Sequence, residues 1–153
     1  MKNEMDVLCD TILHVAEVKE GLEQFRTELT KRGLLHDMTK FQEPEFSAFV
    51  MTRPRFKKVN YGTSEYQKIC DEVKPALDHH YANNRHHTAY HKNGINDMNL
   101  IDILEMIADW KAAERRSPDK SLKDTLEFAF KKYGIEEQLG TIIQNTLKNL
   151  NWI

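Results

Sequence analysis

NEMDVLCDTILHVAEVKEGLEQFRTEL, residues 3–29, decides the class of the fold. Met5, Leu8, Ile12, Val15, Leu22, Phe25 and Leu29 recur at three- and four-residue steps or their sum, which draws one apolar stripe along a helix. That helix is predicted from about Asn3 to about Leu29, with Gly33 marking the break after it. A short helix carrying Leu34 to Phe41 follows, and Pro44 suits the first turn of a segment over Glu45 to Met51. Thr52 to Thr63 holds Pro54, Arg53, Arg55, Lys57, Lys58 and Gly62, and reads as a loop whose basic residues are solvated. Ser64 is the expected N-cap of a helix reaching about Tyr81, with a kink at Pro75. The Asn-, His- and Gly-rich stretch Asn83 to Asn96 reads as loop. Helices are then expected over Asn99–Arg116, Ser121–Lys132 and Glu136 to about Leu150, with Tyr133-Gly134 as a C-terminal stop. No stretch alternates as a strand would. The expectation is an all-α, single-domain helical bundle over residues 1–153, with about six to seven helices.

Bulk properties narrow the function. The chain has 153 residues, 30% of them charged, and a formal net charge of -2. One core suits that length, and the charge balance is not that of a strongly basic nucleic-acid binder. The polar opening MKNEMD, with no apolar run behind it, predicts no secretory leader, and no apolar run is long enough for a membrane span. Cys9 and Cys70 form no CxxC and read as reduced thiols, which predicts a cytoplasmic protein. Trp152 and Ile153 are expected to cap the core in preference to a second subunit, although a homodimer is compatible with the sequence.

The chemistry lies in the histidines and the acids. There are seven histidines, at 14, 36, 79, 80, 86, 87 and 91, and five of them fall between 79 and 91. Imidazole beside carboxylates suits a divalent transition metal: Mn, Fe, Co, Ni or Zn. His36-Asp37 follows Leu34-Leu35 at the edge of an apolar helix, where a carboxylate costs free energy unless something compensates it. A lone His-Asp dipeptide is common by chance, and a surface pair would be its ordinary reading. His14 shares a helix face with Val7, Thr11, Val18 and Phe25, a half-buried position where a histidine is more often hydrogen-bonded in the core than bound to metal. Asp102, Glu105 and Asp109 share a face with Ala112, Ala113 and Arg116; like charges there repel unless Arg116 or a metal lies between them. The run His79-His80-Tyr81-Ala82-Asn83-Asn84-Arg85-His86-His87-Thr88-Ala89-Tyr90-His91 reads as polar loop or metal site. A closed structural zinc site is the poorer reading, because such sites favour cysteine.

In chain order, His14, His36-Asp37, the clustered histidines and Asp109 resemble the HD-domain superfamily of metal-dependent phosphohydrolases. His36-Asp37-Met38-Thr39-Lys40 is similar to its HDxxK form. Within that superfamily the chain resembles an uncharacterised family of bacteria and their phages that carries HD-[ML]-[ST]-K-[FY], HHxxxNxHHxxY and EMxADWxAA. Here these are His36 to Phe41, His79 to Tyr90 and Glu105 to Ala113. The chain departs from the pattern at Arg85, where proline is usual, and at His91, where tryptophan is usual. The resemblance implies that His14, His36, Asp37 and Asp109 hold one metal, and that Asp37 bridges to a second held by His80 and His87. Spacing alone separates neither His79 from His80 nor His86 from His87.

The expected activity is hydrolysis of a small phosphoester, a nucleotide or a related compound, by metal-activated water at one or two ions. Asp37, Glu105 and Lys40 are the candidate catalytic residues, with Glu105 as general base or as support for a ligand. Lys40, Arg85, His79, His86 and Tyr90 are the candidate substrate contacts, and surface charge is the plain alternative for Lys40 and Arg85. Two rival readings keep the metal: a di-iron oxygenase, and a non-catalytic, metal-stabilised binding module.

Overall fold

The computed structural model describes residues 3–60, 62–115 and 121–153. Among them are seven α-helices and no strand, as expected of an all-α chain. The helices are α1 (Glu4–Leu35), α2 (Glu45–Phe56), α3 (Ser64–Glu72), α4 (Lys74–Asn83), α5 (Leu100–Glu114), α6 (Leu122–Tyr133) and α7 (Glu137–Asn149), with 3-10 turns at Met38–Phe41, Thr88–Tyr90 and Gly94–Asp97. No helix of the described residues is long and apolar enough to cross a membrane. The chain divides into two compact units, Met1–His36 and Asp37–Ile153.

The first unit is α1. It opens on a capping box between Asn3 and Asp6, which satisfies backbone donors that have no partner in the first turn. It runs through Gly33, where a break is predicted, and ends two residues later at Leu35 with His36 as C-cap. Gly33 lacks the left-handed backbone of a helix stop, and that conformation falls instead on Asp37 (φ 57°, ψ 18°). Aspartate is one of the few non-glycine residues that tolerate it, through local hydrogen bonds of a short side chain. The expected helix over Leu34–Phe41 is thus the last turn of α1, a left-handed break, and a single 3-10 turn.

The second unit carries the core. Ile103, Met106 and Ile107 of α5 pack with Leu122 and Leu126 of α6 and with Ile143 and Leu147 of α7. Trp152 and Ile153 lie against this cluster, as expected of a C-terminal cap. Ser121 and Asp124 form the capping box that starts α6, and Gly134 (φ 63°) ends it. A second, smaller cluster joins Ala48 of α2 to Val73, Ala76 and Leu77 at α4.

Three expectations need correction. α2 continues to Phe56, so the loop begins at Lys57 and Pro54 is inside the helix. The proline forgoes the one bond its nitrogen would make to the Val50 carbonyl, and the helix ends two residues later. The single helix expected over Ser64–Tyr81 is two, because the chain breaks at Val73 and restarts with Pro75 in the first turn of α4. The N-cap of α3 is Thr63, one residue before the expected Ser64, and its hydroxyl accepts from the Tyr66 amide at 3.2 Å. Arg55 is exposed, as expected of the basic stretch, and makes a forked ion pair with Glu72. Arg116, the end of the predicted α5 and its charge-neutralising candidate, lies outside the described residues.

Candidate metal centre

Four donors from three stretches of the second unit converge: Asp37, His80, His86 and His87 each offer an atom within 4.8 Å of the others. His80 Nε2 is 2.8 Å from His87 Nε2 and 3.4 Å from Asp37 Oδ1, and His86 Nε2 is 3.6 Å from the same oxygen. Donors bound to one first-row ion at about 2.0–2.1 Å stand roughly 3–3.5 Å apart. The spacing therefore fits a metal shell. A carboxylate oxygen of Asp109 lies within 4.8 Å of one of Asp37, at the edge of the cluster.

Each ligand is aimed by its far side. Glu45, at the start of α2, is fully buried. Its Oε2 accepts from His80 Nδ1 and its Oε1 from His79 Nδ1, both at 2.8 Å. With Nδ1 donating, His80 is left with its Nε2 lone pair facing the cluster. Glu105 does the same more loosely for His86, whose Nδ1 is 3.3 Å from Glu105 Oε1. Lys40 Nζ donates to Asp37 Oδ2 one turn of 3-10 helix away, which leaves Oδ1 toward the histidines. Asp37 Oδ1 and His86 Nε2 are buried and make no hydrogen bond, although each residue is engaged through its other atoms. The donor set and its orientation fit a divalent transition ion.

Burial favours the neutral form of His87 and His80, the form that binds metal. His87 is pushed down from 6.5 to about 3, first by burial and then by the neighbouring His86 and His80. His80 is lowered as well, chiefly by burial and by the Lys40 charge, against the pull of Asp37 and Glu45.

The loop that delivers His86 and His87 is held at both ends. Asn84, at the end of α4, is buried and donates to the His80 carbonyl and to the Thr39 hydroxyl, each at 2.8 Å. Arg85 donates through Nε and Nη2 to both oxygens of the fully buried Asp102, at 3.1 and 2.9 Å. His91 Nε2 donates to the Arg85 carbonyl at 2.9 Å, and the Tyr90 ring lies 5.2 Å from the guanidinium. Arg85 and His91, the two departures from the resembled motif, are therefore partners of one another.

These contacts sort the expected site residues. Asp37, His80 and His87, expected as ligands, lie in one cluster. His86, expected at the substrate, belongs to the same cluster. His79, expected at the substrate, shares Glu45 with His80. Arg85 and Tyr90, also expected there, are committed to the loop clamp. Glu105 supports His86, and Lys40 holds a carboxylate. Asp102, read as a repelled neighbour of Glu105 and Asp109, is neutralised by Arg85. His14 is exposed within its own unit, not half-buried, and His36 is the C-cap of α1. Glu45 and Asn84 were not foreseen. The one local signal for Glu45 is an acid in the first turn of a largely apolar helix, which ordinarily marks only a favourable dipole contact.

No curated protein and no solved structure matches the chain. A family model, described as a family of unknown function (DUF5662), matches residues 3–149. That covers nearly the whole chain, and the protein belongs to this family.

Proposed function

We propose that the protein is a metal-dependent phosphohydrolase acting on a small phosphoester. The convergence of Asp37, His80, His86 and His87 beside a cleft carries this reading. These four side chains would hold the ion, with Asp109 beside them; His14 and His36 join the proposed ligand set on the sequence motif alone. When bound, a divalent ion supplies a hydroxide near neutral pH and neutralises charge on a phosphoryl oxygen. The chain's own residues do the rest. Glu45 and Glu105 fix the imidazoles, so no reorganisation is needed when substrate arrives. Lys40, partly exposed beside Asp37, balances the carboxylate and has donor capacity left for a phosphate oxygen. The buried walls around His80 and His86 exclude water from the far sides of the ligands.

The test pairs metal analysis with phosphate release. The purified protein is expected to carry about one or two equivalents of Mn, Fe, Co, Ni or Zn, and to lose them with Asp37→Ala or His80→Ala. It is expected to release phosphate from nucleotides or related esters only when metal is present. Full metal content in both variants would sink the ligand assignment. A metal-loaded protein that consumes oxygen and releases no phosphate would replace hydrolysis with oxidation.

A further inference from the structure

α1 is a helix of 32 residues, none of them buried within its own unit. A helix of that length is about 48 Å long. Met5, Leu8, Ile12, Val15, Leu22 and Phe25 are between 56% and 67% exposed. Together they present roughly 750 Å² of side chain, close to the ~800 Å² that each partner gives to a standard protein–protein interface. Bare apolar area of that extent marks an interaction surface, because a helix is held mainly by packing its apolar face. A compact body the size of the second unit is roughly 35 Å across, shorter than α1. A second α1 matches the first along its whole course.

The stripe is also complementary to itself in one direction. Met5, Leu8, Ile12, Val15, Leu22 and Leu29 fall on the a and d positions of a seven-residue repeat, with Lys19 and Arg26 at the two remaining a positions. In a parallel pair each position faces its own copy, so Lys19 would meet Lys19 and Arg26 would meet Arg26. In an antiparallel pair a faces d, and those like charges separate. Residues 4–23 carry six acids against one lysine, a net charge of -5; residues 24–35 carry three basic residues against one acid, a net charge of +2. Antiparallel pairing sets the acidic part of one helix beside the basic part of the other, and complementary charge fixes register and direction more than affinity.

We infer that the partner of α1 is a second copy of this chain, the two α1 helices pairing antiparallel about a two-fold axis. The same patch serves both copies, so the assembly closes at two. His14 falls off the a and d seam, and the pairing does not depend on the metal centre.

Sedimentation equilibrium of the full chain at micromolar concentrations is expected to give twice the chain mass. Ile12→Asp puts a charge in the seam and is expected to weaken the dimer roughly 100-fold or more. Leu13→Asp is the control. Leu13 is 62% exposed but lies off the seam, so this variant makes the same change to the helix and is expected to stay dimeric. Direction is read with the chain's own Cys9, which is exposed, spin-labelled in a Cys70→Ser background. Cys9 stands about ten residues from the middle of α1, so pulsed electron paramagnetic resonance is expected to give a Cys9–Cys9 separation of about 30 Å. A monomer throughout, its stripe taken up by its own chain or by a different protein, would overturn the inference. So would a dimer that Ile12→Asp leaves intact, one that Leu13→Asp breaks equally, or a Cys9 separation under about 20 Å, which is the parallel arrangement.

Discussion

Glu45 ties the two histidines of one dipeptide to a single buried carboxylate, and so distinguishes them where spacing could not. His79 and His80 both reach it through Nδ1, but only His80 turns its other nitrogen to Asp37 and His87. The partners are 34 and 35 residues from Glu45 in the chain, too far for any periodicity to link them. Asp37, by contrast, was legible, because a carboxylate beside a histidine at the end of an apolar helix already asks for a counter-charge. What the sequence did not disclose is the backbone that aims it, a left-handed residue of the kind that persists where the surroundings hold it in place. Removing the Glu45 carboxylate should free the His80 ring to rotate and to change tautomer. Glu45→Ala is expected to weaken metal binding by about 10- to 100-fold, measured by competition with a chromophoric chelator, while Glu45→Gln, which keeps one acceptor, falls between. Equal affinities in all three proteins would show that Glu45 does not orient the ligand.

At the scale of the element, the helices are readable from the apolar period, and Asn3, Asn99, Ser121 and Gly134 mark ends where expected, but other ends are not legible. Gly33 and Pro54 are passed by α1 and α2 respectively, whereas the chain breaks at Val73, which carries no break signal of its own. The stop belongs to Pro75, which has no amide hydrogen to donate to the Asp71 carbonyl four residues back and is comfortable only in a first turn. The stretch Asn83–Asn96, read as loop, holds the last residue of α4 and most of two 3-10 turns, Thr88–Tyr90 and Gly94–Asp97. Arg85 was assigned to phosphate because its acidic partner lies 17 residues on, at the start of α5. Arg85→Ala would leave Asp102 buried without its main counter-charge, a loss of about 3–5 kcal/mol for a fully buried pair. Arg85 is itself partly exposed (41%), so about 1–3 kcal/mol is the better expectation. Asp102→Asn in the same chain should restore most of that, since an amide still caps α5. Urea denaturation measures both, and a double variant no more stable than Arg85→Ala would mean that the clamp acts through packing instead of charge.

For the whole molecule, the same arrangement that readies the site for metal makes the metal-free protein sensitive to acid. His87 titrates near 6.5 in an unfolded chain and at about 3 in the folded one, and His80 shifts in the same direction. Between those values the unfolded chain binds more protons, so stability rises with pH there. The contribution is complete above about 6.5 and is lost progressively as the pH falls toward 3. Metal adds a second linkage of the same sign, because bound ligands must be deprotonated and a ligand that binds only the folded state stabilises it by mass action. Chelation at pH 7.5 is therefore expected to lower the melting temperature at once, and acidification from pH 6.5 to 4.5 to lower it further in the chelated protein. His87→Gln should flatten the second slope while also reducing the response to chelator. A melting temperature indifferent to chelator, with a pH profile unchanged by His87→Gln, would mean that the buried imidazoles neither hold an ion nor control the acid response of the fold.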